Sequence, residues 1–106
     1  MQRQTRQFAI VGSTAKILDG NAIPLDLPRV LPIIEIGIDC ATEAVTASIE
    51  VQLPESASWK MVKAGLTEAE IGRIENTIID AIRITVAGAA GGDTTTVTMT
   101  YRAATV

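Results

Sequence analysis

The sequence predicts an all-β protein: an antiparallel β-sandwich of jelly-roll-like or Ig-like plan, with seven to eight short strands. Three observations predict it. Several runs alternate apolar and polar residues with period two, as half-buried strands do. β-Branched residues dominate those runs, which suits a pleated surface. Turn signals separate the runs, and only one segment has helical spacing, too few for a doubly wound α/β fold.

The clearest strand covers residues 45–53, VTASIEVQL. Val45, Ala47, Ile49, Val51 and Leu53 fall on one face, and Thr46, Ser48, Glu50 and Gln52 on the other. Residues 82–86 set Ile82, Ile84 and Val86 against Arg83 and Thr85, and residues 96–101 set Val97, Met99 and Tyr101 against Thr96, Thr98 and Thr100. A glycine-rich tip lies between these last two runs. Residues 33–39, IIEIGID, place Ile34, Ile36 and Ile38 on one face, with Gly37 marking a bulge or close packing. Earlier in the chain, residues 7–11 and 15–18 read as strands divided by the turn signal Gly12-Ser13. Asp19-Gly20-Asn21 is a second turn signal, because these residues tolerate positive φ. In AIPLDL, Pro24 suggests an edge or a strand end, and LPRVLP, with Pro28 and Pro32, reads as a connection.

Residues 65–82 are the ambiguous segment. Thr67 and Glu70 have capping-box spacing, and Ile71, Ile74 and Ile78 lie on a helical stripe, but Gly72 and Asn76 disfavour a helix interior. A turn or one short helix near 67–72, then extended chain, is expected, with a helix through residue 79 as the alternative. The polar start MQRQTRQ reads as a flexible N-terminal arm over residues 1–7, leaving 8–106 as a single sandwich domain.

Composition narrows function. Hydrophobic residues make up 47% and aromatics only 3% (Phe8, Trp59 and Tyr101), so the core must be built from Ile, Val, Leu and Ala. A net charge of −3 without a lysine-rich tract argues against nucleic acid as a partner. The apolar runs are far shorter than the ~20 residues of a spanning helix, so no membrane association is expected. The start of the chain does not read as a signal peptide. The single cysteine, Cys40, rules out an internal disulfide and fits synthesis in a reducing cytoplasm.

Catalytic signals are weak. The chain contains no histidine, which removes the commonest general base and metal ligand. Cys40 has no adjoining cation to stabilise a thiolate and reads as a small, partly buried core residue. Asp19 and Asn21 flank Gly20 as in a calcium loop, but the remaining ligands are missing. VGSTAK does not match the order of a phosphate-cradling loop. Glu68 and Glu70 lack a partner acid. No enzyme activity, cofactor or metal is therefore expected. Trp59 has two readings: a cap on the sandwich core, or an exposed anchor for a neighbour or a sugar. Arg3 and Arg6 in the arm are placed to reach an acidic surface. The candidate protein-interface residues are thus Arg3, Arg6, Trp59 and Met61. Threonines 94–96, 98 and 100 are expected to line a solvent face or to pair across subunits.

Taken together, AIPLDL, IEIGID, VTASIEVQL, SASWKMV, IIDAIRITVAG and TTVTMTYRA resemble small structural proteins of tailed-bacteriophage virions. The resemblance spans roughly residues 8–102, lies in strand and turn patterns, and departs from the family at the acidic insert 67–76. It implies a β-sandwich that attaches to capsids or tails, ends in a Gly-rich hairpin and a threonine-rich strand, and forms symmetric oligomers, with a trimer favoured. It further implies a virion location after synthesis in the host cytoplasm. The expected role is a capsid decoration or cement protein whose partner is the major capsid protein or another virion protein. A neck, tail or fibre-base component is the near alternative, and a carbohydrate- or receptor-binding module using Trp59 is the alternative from another class.

Overall fold

A computed structural model describes residues 4–19, 31–42, 44–75 and 79–104. The described residues contain eight strands and no helix: β1 (Gln4–Val11), β2 (Ala15–Asp19), β3 (Leu31–Cys40), β4 (Thr46–Gln52), β5 (Trp59–Leu66), β6 (Gly72–Glu75), β7 (Ala81–Ala87) and β8 (Thr94–Ala104). They form two antiparallel sheets of four. Sheet A has the order β1-β8-β3-β6 and sheet B the order β2-β7-β4-β5. The pairs β1·β8, β2·β7, β3·β6 and β4·β5 are nested, like one long hairpin folded over on itself. β3·β8 and β4·β7 complete the sheets laterally. This strand order is that of a jelly roll and decides between the two sandwich plans.

The alternation seen in sequence sets the inner faces. Sheet A contributes Ile10, Ile34, Ile36, Ile38, Ile74, Val97, Met99 and Tyr101. Sheet B contributes Leu18, Ala47, Ile49, Val51, Leu66, Ile82, Ile84 and Val86. Burying each large aliphatic side chain is worth roughly 1.5–3 kcal/mol. Branched side chains fill the space that rings occupy in other sandwiches.

Some expectations hold and others change. Of the turn or short helix expected near 67–72, the turn is the one formed, and extended chain follows it as expected: the Thr67 amide and hydroxyl both donate to Glu70 Oε1, at 3.0 and 3.1 Å, and the Glu70 amide donates back to the Thr67 carbonyl. Gly72 then starts β6, where pairing with β3 outweighs the helical stripe. Residues 76–78, where the longer helix would have run, lie outside the described residues, as do 20–30 with the Gly20-Asn21 turn and the IPLDL stretch. Residues 4–7, expected in the arm, pair with Thr98–Tyr101 in β1, because backbone pairing needs no apolar side chains. The glycine-rich tip is not a hairpin. It crosses from β7 in sheet B to β8 in sheet A and packs beside the Gly12–Thr14 connection. There Gly12 N–H donates to the Asp93 carbonyl at 2.8 Å, and Ser13 Oγ donates to the Ala89 carbonyl at 2.9 Å.

Candidate interaction surface

The two outer faces carry the polar half of each alternating run. On sheet A, Thr94, Thr96, Thr98 and Thr100 form an outward ridge along β8. Gln7 on β1 donates to Thr98 Oγ1 at 3.1 Å, and Glu35 and Asp39 lie opposite Thr100 and Thr96 on β3. Thr95 departs from the expected solvent face. It points inward, is wholly buried, and its Oγ1 has no partner among the described residues.

Sheet B presents a different row. Ile17, Arg83, Glu50 and Met61 stand directly opposite one another across β2, β7, β4 and β5. Their neighbours Leu18, Ile82, Ile84, Ile49 and Val51 point into the core, so this row points out. In its centre the Arg83 guanidinium forks onto Glu50, with Nε to Oε1 at 3.1 Å and Nη2 to Oε2 at 3.0 Å. Such a bidentate pair is fixed in direction as well as strong. The ends of the row are apolar and open: Ile17 is 57% exposed and Met61 55%. Trp59 pairs with Gln52, which puts it on the same outer face. Its ring lies 4.6 Å from the Arg83 guanidinium, a cation–π contact. Trp59 therefore does not cap the core. It braces the Arg83 guanidinium on the outer face of the sheet.

Of the interface candidates, the fold brings Trp59 and Met61 together on β5. Arg6 sits on β1 in the other sheet, exposed, and Arg3 lies outside the described residues. Sequence reasoning missed Arg83, Glu50 and Ile17. Glu50 and Arg83 are each the outward residue between two inward aliphatics, and that alternation was the available signal; Ile17 stands between Lys16 and Leu18, where residue type points the wrong way. Cys40 is half-buried against the core, with Sγ 3.7 Å from Thr42 Oγ1, as a small packing residue should be. The described residues hold no cluster of three or more metal-ligating side chains, and no described helix is long and apolar enough to cross a membrane.

Three of the four edge strands, β1, β2 and β5, carry charges at inward positions, whereas β6 turns Gly72 and Ile74 inward. Lys16 on β2 and Lys60 on β5 occupy inward positions, opposite the buried Ile84 and Val51. Lys63 pairs with the buried Ile49, and Arg6 with the buried Met99. Lys16 Nζ reaches 5.5 Å from the Phe8 ring, and Lys63 Nζ pairs with Glu70 at 3.4 Å. Charges turned inward on edge strands make a second strand costly to add there.

No protein-family model matches the chain, and no curated protein matches it. Among solved structures it is similar to a chain from Bacillus endospore appendages, described as a novel family of disulfide-linked pili. That likeness has 14% identity and TM-score 0.45 and covers 100% of this chain and 93% of the other. It is also similar to a chain of the infectious bursal disease virus Gx strain (14% identity, TM-score 0.37, 96% and 32% covered). A third is NovW, a 4-keto-6-deoxy sugar epimerase from the novobiocin biosynthetic gene cluster of Streptomyces spheroides (12% identity, TM-score 0.28, 97% and 46% covered). All three concern the path of the chain alone.

Proposed function

We propose that the protein is a non-enzymatic structural component of a tailed-bacteriophage virion, a capsid decoration or cement protein that binds between capsid subunits and stabilises the head. The observation that carries the adhesive part of this reading is the outer row of sheet B. It gathers a tryptophan, an arginine and a methionine, residue types enriched where proteins meet, on a rigid sheet. The virion part rests on the sequence resemblance. A small slab with shaped faces suits a repeated site, because modest contacts summed over many copies hold a shell together. A trimer about a local threefold axis serves that role.

The test compares particles assembled with and without the protein. Particles lacking it should disassemble at lower temperature or lower force, and a label on the protein should decorate heads. Equal durability removes the cement role. Label on the neck or tail transfers the protein to the neck, tail or fibre base. Trp59 braces Arg83, which supports a side-chain contact over a sugar platform. A glycan array with Trp59→Ala as control checks this, and a Trp59-dependent signal would favour the carbohydrate module.

A further inference from the structure

We infer that the outer face of sheet B binds a second copy of the chain across a two-fold axis running nearly parallel to its strands, between β7 and β4. This rests on the proposal above only in treating that face as adhesive, and it holds whether or not the assembly is a virion.

The order of residues in the row selects the partner and the axis. Read from β2 to β5 it is apolar, cationic, anionic, apolar: Ile17, Arg83, Glu50, Met61. Turning a copy about an axis along the strands reverses the row and lays it face to face on the original. Arg83 then meets the second copy's Glu50, Glu50 its Arg83, Ile17 its Met61 and Met61 its Ile17. The other in-plane axis, across the strands, lays each strand on itself and, when it runs along this row, sets Arg83 against Arg83 and Glu50 against Glu50. Like charges in contact exclude it. Contacts that swap in this way are the mark of an isologous interface.

The rest of the face permits the approach. Of the two adjoining rows, one is Ala15, Thr85 and Ser48, all short, and the other runs from Ala81 through Gln52 to Trp59, whose ring leans over Arg83 at the β5 edge. Aligned sheets pack at about 30° and ~10 Å, so an axis tilted about 15° from the strands keeps the central row in register. The guanidinium has five donors, and the in-chain fork engages only Nε and Nη2. The inward lysines on β2 and β5 disfavour edge-to-edge pairing of sheet B, which leaves its face for association. Four strands of about seven residues present roughly 450 Å², below the ~800 Å² per partner of a standard interface. The contact is therefore weak between isolated chains and gains strength from repetition. The sheet B row then joins copies to one another, and the threonine face of sheet A is the one left to meet a capsid.

The experiment is sedimentation equilibrium on the purified chain, without capsids, up to about 1 mM. The expected result is reversible association of the 11.2 kDa chain into dimers, or into hexamers if trimers form through another surface. Ile17→Glu and Met61→Arg should each weaken it tenfold or more, with unchanged thermal melts. Mixing the two single variants should restore association, because one facing pair becomes a salt bridge and the other stays Ile17 on Met61. The double variant should also associate. Within one chain, positions 17 and 61 are three strand spacings apart, about 14 Å, too far for in-chain compensation in physiological salt. A chain that stays monomeric or only trimeric overturns the inference. So does association that neither single variant weakens, or single variants that remain apart when mixed. Durable particles lacking the protein would remove the cement role and leave this result standing.

Discussion

Thr95 and Gly72 show how two single residues sit against the rest of the design. Thr95 occupies an inward position of β8, and its buried hydroxyl has no partner among the described residues. An unsatisfied buried hydroxyl costs about 1–3 kcal/mol, and valine has nearly the same shape without it. Thr95→Val should therefore raise stability by about 1 kcal/mol in urea unfolding. A loss of stability would mean that the hydroxyl has a partner in solution. Gly72 opens β6 where a Cβ would stand 2.5 Å from Ile49 Cδ1 in the centre of the core. Gly72→Ala must displace that methyl, and overpacking of this kind costs about 1–3 kcal/mol. Ile49→Val removes the same methyl. Alone it should cost about 1 kcal/mol, yet combined with Gly72→Ala it should recover much of the loss. Strictly additive effects would show that the two sites do not touch. Only part of this is legible in the sequence. Thr95 shares the parity of Val97 and Met99, so alternation turns it inward, but nothing local shows that its hydroxyl lacks a partner there. Gly72 reads as a broken helix because its reason lies on another strand.

At the scale of elements, legibility follows burial. β3, β4, β7 and β8 lie within their sheets, and their alternating aliphatics mark them in sequence. β5 left no such mark. It is an edge strand with lysines at inward positions, and register shifts opposite Ala47–Glu50 break its period. Gly65, at φ +66°, adopts a left-handed conformation there that side chains resist. β1 likewise begins in polar residues held by backbone pairing. The sheet B row was half legible. Trp59 and Met61 stand out by type, whereas the Arg83–Glu50 link joins residues 33 positions apart. The turn between β5 and β6 carries its own pH dependence. The Thr67 backbone amide, then its hydroxyl, then Lys63 hold the Glu70 carboxyl below the ordinary glutamate range. A lowered folded value means that the turn's stabilisation is complete above the unfolded glutamate pKa, about 4.3. It fades as pH falls through the lower folded value. The Thr67 amide shift, followed by NMR from pH 6 downward, should titrate with a midpoint below that of a free glutamate, and Glu70→Gln should abolish the transition. A midpoint at or above the free value would rule out the turn as drawn.

The whole molecule poses a question of assembly order, because its first and last strands are partners. Gln4 pairs with Tyr101 and Val11 with Thr94, whereas β4 and β5 meet across a short turn. Closing a long loop costs entropy that only later contacts repay, so non-local sandwiches fold in milliseconds to seconds. The nested pairing gives a cheap order. β4·β5 closes first, β7 then docks on β4, and β1·β8 closes last, when most of the chain between its ends is already compact. Ile49 on β4 and Ile10 on β1 are both buried and both lose one methyl on mutation to valine, at about 1 kcal/mol each. If the inner hairpin forms the nucleus, Ile49→Val should mainly slow refolding, and Ile10→Val should mainly speed unfolding. Stopped-flow kinetics across a urea series separates the two. Equal slowing of refolding by both would place β1·β8 in the transition state and refute the inside-out order. Inside-out closure also leaves the sheet B row, with Arg83 and Glu50, complete before sheet A gains its outer strand.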